Sequence, residues 1–414
     1  MKALVSSVVS YGVPQETSVK MKEIFSLYAS KESIFKNPEI LASAWVPSKI
    51  LHRDEELQAL GMALAPALKG FKANNIFIYG TVGTGKTITT RFVLHELEKA
   101  ARQAKAGLRV VYINCKMKRV SDTEYRLLAQ VLREFGVRMP ETGLSTSTLY
   151  KKFFEVIGDR PVIIVLDEID ALVKKIGDEF LYNLSRADHK ISLVGITNNM
   201  VWRDSLDARV KSSLAEEEIM FKPYNAGQLA DILGHRAAEA LAEGASEGII
   251  AKCAAIAAQE HGDARRALEL LRVAAETAER SGRSEIVEAD VDFAIGKIDS
   301  DRLIEGLRAQ PQQSLAVMAA VFKPGDKVSG PAWHDSRILS SDVYGRYRKT
   351  AAGAGLKVLT QRRVGDLLGE LEALGIIETR VISKGRYGRC REIKVMLNET
   401  STLKAQRVLA EKGF

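Results

Sequence analysis

The octapeptide GTVGTGKT, Gly80–Thr87, sits between an apolar run, NIFIY (75–79), and a helix-forming stretch, ITTRFVLHELEKA (88–100). It fits G-x-x-x-x-G-K-[ST] in full, in the strand-before and helix-after setting that the pattern requires. Glycines let successive backbone N–H groups turn inward, so Gly83, Thr84 and Gly85 can cradle phosphate oxygens. The following helix N-terminus adds its partial positive charge. Lys86 is then expected at the β- and γ-phosphates and Thr87 on Mg²⁺, with ATP or ADP as the ligand.

A second stretch, VIIVLDEID (162–170), delivers two carboxylates at the end of a buried strand. Ligands of open α/β sheets sit at such carboxyl ends. Asp167 is the candidate for Mg²⁺, directly or through water, and Glu168 the candidate for orienting or deprotonating an attacking water. ISLVGITNN (191–199) is another buried strand, ending in Thr197, Asn198 and Asn199. An amide at its tip holds that water against the γ-phosphate if the strand lies beside 162–166.

A third constellation carries charge of one sign. VISKGRYGRCREIKVM (381–396) has Lys384, Arg386, Arg389 and Arg391 around two glycines and Tyr387, in a hairpin-like tip. Upstream, LTQRRVGDLLGELEALGII (359–377) starts with Thr360, a good N-cap, and carries an apolar stripe at Val364, Leu367, Leu368, Leu371 and Leu374. Gln361, Arg362 and Arg363 fall in its first turn. Cations are unfavourable at the positive end of a helix, so an external anion is expected there. YGRYRKT (344–350) adds Arg346, Arg348 and Lys349. Helix, helix, helix, hairpin is the order of a winged helix, whose third helix enters the major groove of DNA while the tip grips its backbone or minor groove.

The overall charge agrees with this placement. The chain has 414 residues and a net charge of +8. From Asp301 onward there are 20 Lys and Arg against 12 Asp and Glu, whereas residues 1–300 hold 40 of each. The whole positive excess thus lies in the last quarter, as a polyanion-binding patch would have it. Cys115, Cys253 and Cys390 are far apart, with no C-x-x-C spacing, which argues against a disulfide framework or zinc module. The six histidines form no H-x-x-x-H or H-E-x-x-H pair. No apolar run approaches the ~20 residues of a membrane span. The opening MKALVSSVVSYGV is too weakly apolar for a signal peptide, which places the chain in the cytoplasm, on the nucleoid.

The strands that must position these residues are 75–80, 109–115, 162–168 and 191–197, short β-branched runs alternating with amphipathic stretches, as in a parallel sheet covered on both faces. From Asn225 to about Ile298 the texture is alanine-rich and helical, with Pro223 in FKPYN (221–225) as the hinge. Three domains are expected: a nucleotide-binding base with an N-terminal extension over 1–222, a helical domain over 223–300, and a winged helix over 301–414.

The order of the two nucleotide motifs, the Asn-tipped strand, LDARVKSSL (206–214), FKPYNAGQLADIL (221–233) and GDARRAL (262–268) resembles that of the AAA+ ATPases. More narrowly, with NPEILASAWVPSKILHRDEEL (37–57), it resembles the archaeal origin-recognition and replication-initiator proteins over nearly the whole chain. The resemblance implies an α/β fold with an AAA+ P-loop domain, an α-helical lid and a C-terminal winged helix. It implies that Pro47, His52 and Arg53 lie against adenine and ribose, that Asn198 is the first sensor, and that Arg265 is a second sensor reaching phosphate from the lid. Arg209 falls where the family has an arginine able to approach nucleotide in a neighbouring subunit; Tyr224 and Arg236 fall at lid positions that line the nucleotide. The long stretch 116–158 resembles a helical insert that touches DNA, with Lys116, Lys118 and Arg119 as candidates, although a longer surface crossover accounts for it as well. The function implied is a weak, Mg²⁺-dependent ATPase acting as a switch. Its partners would be double-stranded origin DNA, a replicative helicase, and other initiator copies or paralogues. Two alternatives are a clamp-loader or remodelling motor, and a winged-helix NTPase switch in transcription control.

Overall fold

The computed structural model describes residues 33–116, 123–140, 143–214, 216–322, 338–383, 389–397 and 399–414. The expected positions Lys118, Arg119, Lys384, Arg386 and Tyr387 lie outside them. The chain divides into two compact units, one ending at Ala294 and one running from Ile295 to Phe414.

In the first unit, helix α1 (Asp54–Leu64) leads to strand β1 (Asn75–Gly80), helix α2 (Lys86–Gln103) and strand β2 (Arg109–Asn114). Helices α3 (Glu124–Glu134) and α4 (Thr146–Ile157) precede β3 (Val162–Asp167). Helices α5 (Ile169–Ile176) and α6 (Glu179–Arg186) precede β4 (Ile191–Thr197), and α7 (Ala208–Leu214) precedes β5 (Glu216–Phe221). The strands make one sheet, in the order β2-β3-β4-β1-β5, with every pairing parallel.

Their unbroken apolar runs follow from burial on both faces. Phe77, Ile164, Leu166 and Leu193 point to the side covered by α3–α6, packing on Leu128, Phe153, Leu172 and Leu181. Ile76, Ile78, Val165 and Ile196 alternate to the other side, against Leu60 and Leu64 of α1 and Val93 and Leu97 of α2. Strand β5 was not expected, because its EEEIMF sequence carries three glutamates. It is an edge strand, paired with β1 alone: Glu217 and Glu218 stay exposed while Ile219 and Phe221 are buried. Charge on an edge is what keeps it from pairing with another chain.

Beyond Pro223, helices α8 (Ala226–Ala240), α9 (Glu247–Gln259) and α10 (Ala264–Arg280) form the helical lid. Asn225 opens it with a capping box to Gln228. Helix α11 (Glu288–Arg308) follows.

The second unit contains α12 (Gln312–Phe322), a short β6 (Ile338–Leu339), α13 (Ser340–Gly353), α14 (Gln361–Ala373), β7 (Ile377–Ser383), β8 (Arg389–Val395) and α15 (Glu399–Glu411). The strands pair antiparallel, in the order β6-β8-β7, which completes a winged helix. Thr360 caps α14, accepting from Arg363 N, and Val364, Leu367, Leu368 and Leu371 are buried. Leu374 departs from the expected stripe and is 49% exposed. The helix ends at Ala373, the chain reverses at Gly375 (φ 70°), and Ile376 takes the core position instead.

One packing contact tests the sheet directly. A Cβ added at Gly195 of β4 would overlap the Phe77 ring, which is 1% exposed and packs on Trp202 at 5.3 Å between centroids. With no room for that ring to yield, Gly195→Ala is expected to cost about 1–3 kcal/mol. Thermal denaturation of the variant should show a lowered midpoint; an unchanged one would contradict this packing.

Candidate nucleotide site and nucleic-acid interface

Strand order decides what meets at the carboxyl edge. Because β4 lies between β3 and β1, Asn198 emerges between Asp167 and the Gly80–Thr87 loop. Within the loop, Gly83 and Gly85 adopt φ of 76° and 91°, a region that L side chains disfavour. They are also crowded from the lid. A Cβ on Gly83 would overlap Asp263 Oδ1, and one on Gly85 would lie 2.7 Å from Tyr224 Oη. The backbone joins the same contact, Ala264 N donating to Gly83 O at 3.1 Å.

Lys86 Nζ donates to Gly80 O at 2.8 Å and Thr81 O at 2.6 Å. Burial, then the positive charge of Arg265, pull its pKa down to about 8, against the opposing carboxylates of Asp167, Asp263 and Glu168. Thr87 Oγ1 and Tyr112 Oη both donate to Asp167 Oδ2, at 3.1 and 2.5 Å. Burial and the Asp167 charge push the Tyr112 phenol well above its ordinary range. A hydroxyl and a carboxylate side by side beneath a phosphate loop are the hard oxygen ligands that Mg²⁺ takes, so Thr87 and Asp167 fit that ion. Glu168 adopts φ 58°, ψ 48°, and its carboxylate forms an ion pair with Lys116. Lys116, expected on DNA, is thus drawn to the nucleotide side.

Pro47, Gly83, Gly85, Lys86, Thr87, Asp167, Glu168, Asn198, Tyr224, Arg236 and Arg265 line one cavity between the sheet edge and the lid. Four expected residues do not line it. Thr84 is fully buried, its hydroxyl donating to Thr81 O at 2.9 Å and its carbonyl facing Arg53. Arg53 is turned away from the cavity: its guanidinium donates to Thr84 O, Lys222 O and Glu56, and lies over the Tyr224 ring at 3.9 Å. Its head group matches a cluster of carbonyls behind the loop rather than a sugar. His52 pairs with Asp231 of α8 at 2.9 Å. Arg209 is 82% exposed, held to Asp207 at 3.2 Å, and faces solvent.

The sequence reading missed Tyr112, Arg91 and, beside the expected Pro47, the wall residues Val46, Lys49, Ile50 and Leu51. Arg91, one helical turn beyond Thr87, lies over the Tyr112 ring at 4.6 Å and lines the cavity, so helical spacing alone could have flagged it. Tyr112 carried no signal, since only the β2–β3 pairing, which sets it opposite Val165, lets its hydroxyl reach Asp167 two residues on.

In the second unit, Gln361, Arg362 and Arg363 are exposed on the first turn of α14. Arg363 also lies 3.6 Å from Asp366 and 3.9 Å from Glu370. Arg348 and Lys349 are exposed on α13, and Arg346 is half-buried. Arg389 belongs to β8. Arg391 has a structural contact, donating from Nη1 to Gly365 O at 3.0 Å.

Comparison with known proteins agrees with both halves. Residues 69–199 match the AAA domain, 230–296 the Cdc6 AAA+ ATPase-type lid domain, and 305–405 the CDC6 C-terminal winged helix domain. The ORC1-type DNA replication protein of Pyrococcus furiosus is 44% identical over 398 residues, covering 93% of this chain and 92% of the relative. The chain belongs to the ORC1/Cdc6 family of DNA replication proteins. Another ORC1-type relative, from Archaeoglobus fulgidus, is 46% identical over 391 residues, 92% of this chain and 93% of its own. The Aeropyrum pernix ORC1 protein in complex with DNA is similar in structure, with a TM-score of 0.77 and 38% identity over 93% of this chain and 98% of that one. An ORC1/Cdc6 chain is thus an AAA+ ATPase-family replication initiator with a winged-helix domain, and among the described residues no helix is long and apolar enough to cross a membrane.

The Lys86 environment makes nucleotide binding depend on pH. Phosphate favours the ammonium form, whereas the protein surroundings alone lower the Lys86 pKa to about 8. ATP affinity is expected to fall about tenfold between pH 7 and 9 as that proton is lost. Lys86→Arg, charged throughout, should bind more weakly but without the slope; equal slopes in titrations of the two proteins would refute the assignment.

Proposed function

We propose that this ORC1/Cdc6 chain is an ATP-controlled initiator that recognises replication origins on duplex DNA and assists loading of the replicative helicase. Hydrolysis to ADP and phosphate serves as a slow switch. The observation that carries this reading is the convergence of Arg265 from the lid with Lys86 and Asp167 from the base on one cavity. A γ-phosphate there would give Arg265 an additional charge-assisted contact that ADP does not offer, which would favour one lid angle over another.

The chemistry follows from the same geometry. Loop amides and Lys86 bind the phosphates, and Thr87 and Asp167 would hold Mg²⁺, which spreads the charge of the β- and γ-oxygens. Glu168 accepts the proton of the attacking water once its pairing with Lys116 is released, and Asn198 holds that water in line. The exposed Arg209 is free of its own cavity and suited to a neighbouring copy's nucleotide. On the DNA side, Gln361, Arg362 and Arg363 would enter the major groove, with Arg348 and Lys349 along the backbone. Lys384, Arg386, Tyr387 and Arg389 complete the proposed wing, and Lys118 and Arg119 a second contact, which Lys116 would join once released from Glu168.

Three measurements test the reading. Genome-wide mapping of bound DNA should place the protein at the positions where replication begins; occupancy of promoters alone would favour a transcription switch, and unlocalised binding with rapid turnover a motor. In vitro, Arg362→Ala with Arg363→Ala should weaken duplex binding and flatten the dependence of log K on log salt by about 2, near 0.9 for each lost phosphate contact. Glu168→Gln should retain ATP and lose turnover by about 10²-fold or more. Unaltered salt dependence would remove the helix from the interface.

A further inference from the structure

Residues 34–53 run as a strap along the first unit, and its fastenings gather at its two ends. On the lid side, Lys36 N and Asn37 N donate to Ala240 O at 2.8 and 3.1 Å, and Ala242 N donates to Ile34 O at 2.8 Å. The Arg236 guanidinium of α8 extends the seam, donating from Nη1 to Ile40 O at 2.8 Å and from Nη2 to Trp45 O at 3.1 Å. On the base side, Arg53 is locked to Thr84 O and Lys222 O at 2.9 and 2.6 Å. Between these anchors Val46, Pro47, Lys49, Ile50 and Leu51 form one wall of the cavity. Among the described residues, no hydrogen bond joins 46–51 to the base or the lid.

Ile50 is buried, and the hydrogen bonds that fix this wall lie at its ends. Arg236 is 5% exposed, and burying a guanidinium is costly unless its donors are used. Here they go to two main-chain carbonyls five residues apart, which a planar fork spans and an ammonium does not. Family resemblance puts this side chain against the nucleotide, yet both of its terminal nitrogens are engaged by the strap.

We propose that Arg236 is a positioning residue for the nucleobase: it ties the strap to the lid so that the 46–51 wall is preformed for a purine ring, and it adds nothing to phosphate binding. This rests on the reading of the cavity as an ATP site. The phosphates are gripped elsewhere, by the loop amides and Lys86, so the two parts of the affinity separate. A preformed wall improves binding because little ordering remains to be done when the ring arrives.

The test uses the full chain with Mg²⁺ and a fluorescent ADP analogue as the displaced probe, measuring dissociation constants for ATP and for inorganic tripolyphosphate. The ratio of the two reports what the adenosine part contributes. Arg236→Met is expected to weaken ATP about tenfold while tripolyphosphate stays within about twofold, so the ratio contracts. Arg236→Lys, which keeps the charge and lacks the fork, should behave in the same way. Equal losses for both ligands, or full recovery by lysine, would overturn the proposal. If Arg236→Met does not fold, Pro47→Gly on the half-buried wall should contract the ratio, and an unchanged ratio would count against the strap. A wild-type chain that binds neither ATP nor the probe would remove the ATP reading and this inference with it; where the wild type binds ATP, the ratio alone decides.

Discussion

The lid reaches the phosphate loop only because Gly83 has no side chain. Asp263 occupies the space that a Cβ would take, and the Ala264 N–H bonds to the Gly83 carbonyl at 3.1 Å. Everything at the site inherits that contact. It brings Arg265, at the start of α10, within electrostatic range of Lys86 at the start of α2, and Tyr224 against Gly85. A nucleotide in this cavity would touch two subdomains at once, which is the basis of the switch proposed above. An enzyme that only had to cleave ATP could leave the loop open to solvent. Here the loop doubles as the seat of the lid.

The charges of the site are each held by a neighbouring group. Lys86 turns to loop carbonyls, Asp167 takes the hydroxyls of Thr87 and Tyr112, and Glu168 pairs with Lys116. A triphosphate with its cation would give Lys86 and Asp167 ionic partners in place of carbonyls and hydroxyls. The depressed pKa of Lys86 belongs to the same picture: burial disfavours its charge most, and the positive charge of Arg265 adds to that. Arg53 works from behind, using a buried guanidinium to hold Thr84, Lys222 and the Tyr224 ring in one cluster. It therefore connects the phosphate loop to the hinge without entering the cavity.

Much of this was legible from local pattern. The strands at 75–80, 162–167 and 191–197 stand where their apolar runs placed them, because residues buried on both faces need no partner-specific information to be recognised. Strand β5 escaped notice because an edge strand tolerates Glu217 and Glu218, which read locally as solvent-facing coil or helix. Leu374 fell in the right helical phase but one residue past the helix, where the turn at Gly375 hands its place to Ile376. Phase is a property of sequence; the end of the helix depends on what the next segment packs against.

By itself the sequence determined the chemistry available: a glycine loop with Lys86 and Thr87, carboxylates at a strand end, an Asn-tipped strand, a lid arginine, and a basic helix start beside a hairpin. These are short-range statements, in which a few adjacent residues meet one geometric demand. Tertiary structure alone decided where each arginine is directed. Arg53, Arg236 and Arg265 are equally cationic in the sequence, yet Arg53 is turned to carbonyls behind the loop, Arg236 lines the cavity while fastening the strap, and Arg265 remains beside Lys86. A guanidinium goes wherever its donors find the best fixed acceptors, and those acceptors are main-chain carbonyls brought together from segments up to 196 residues apart.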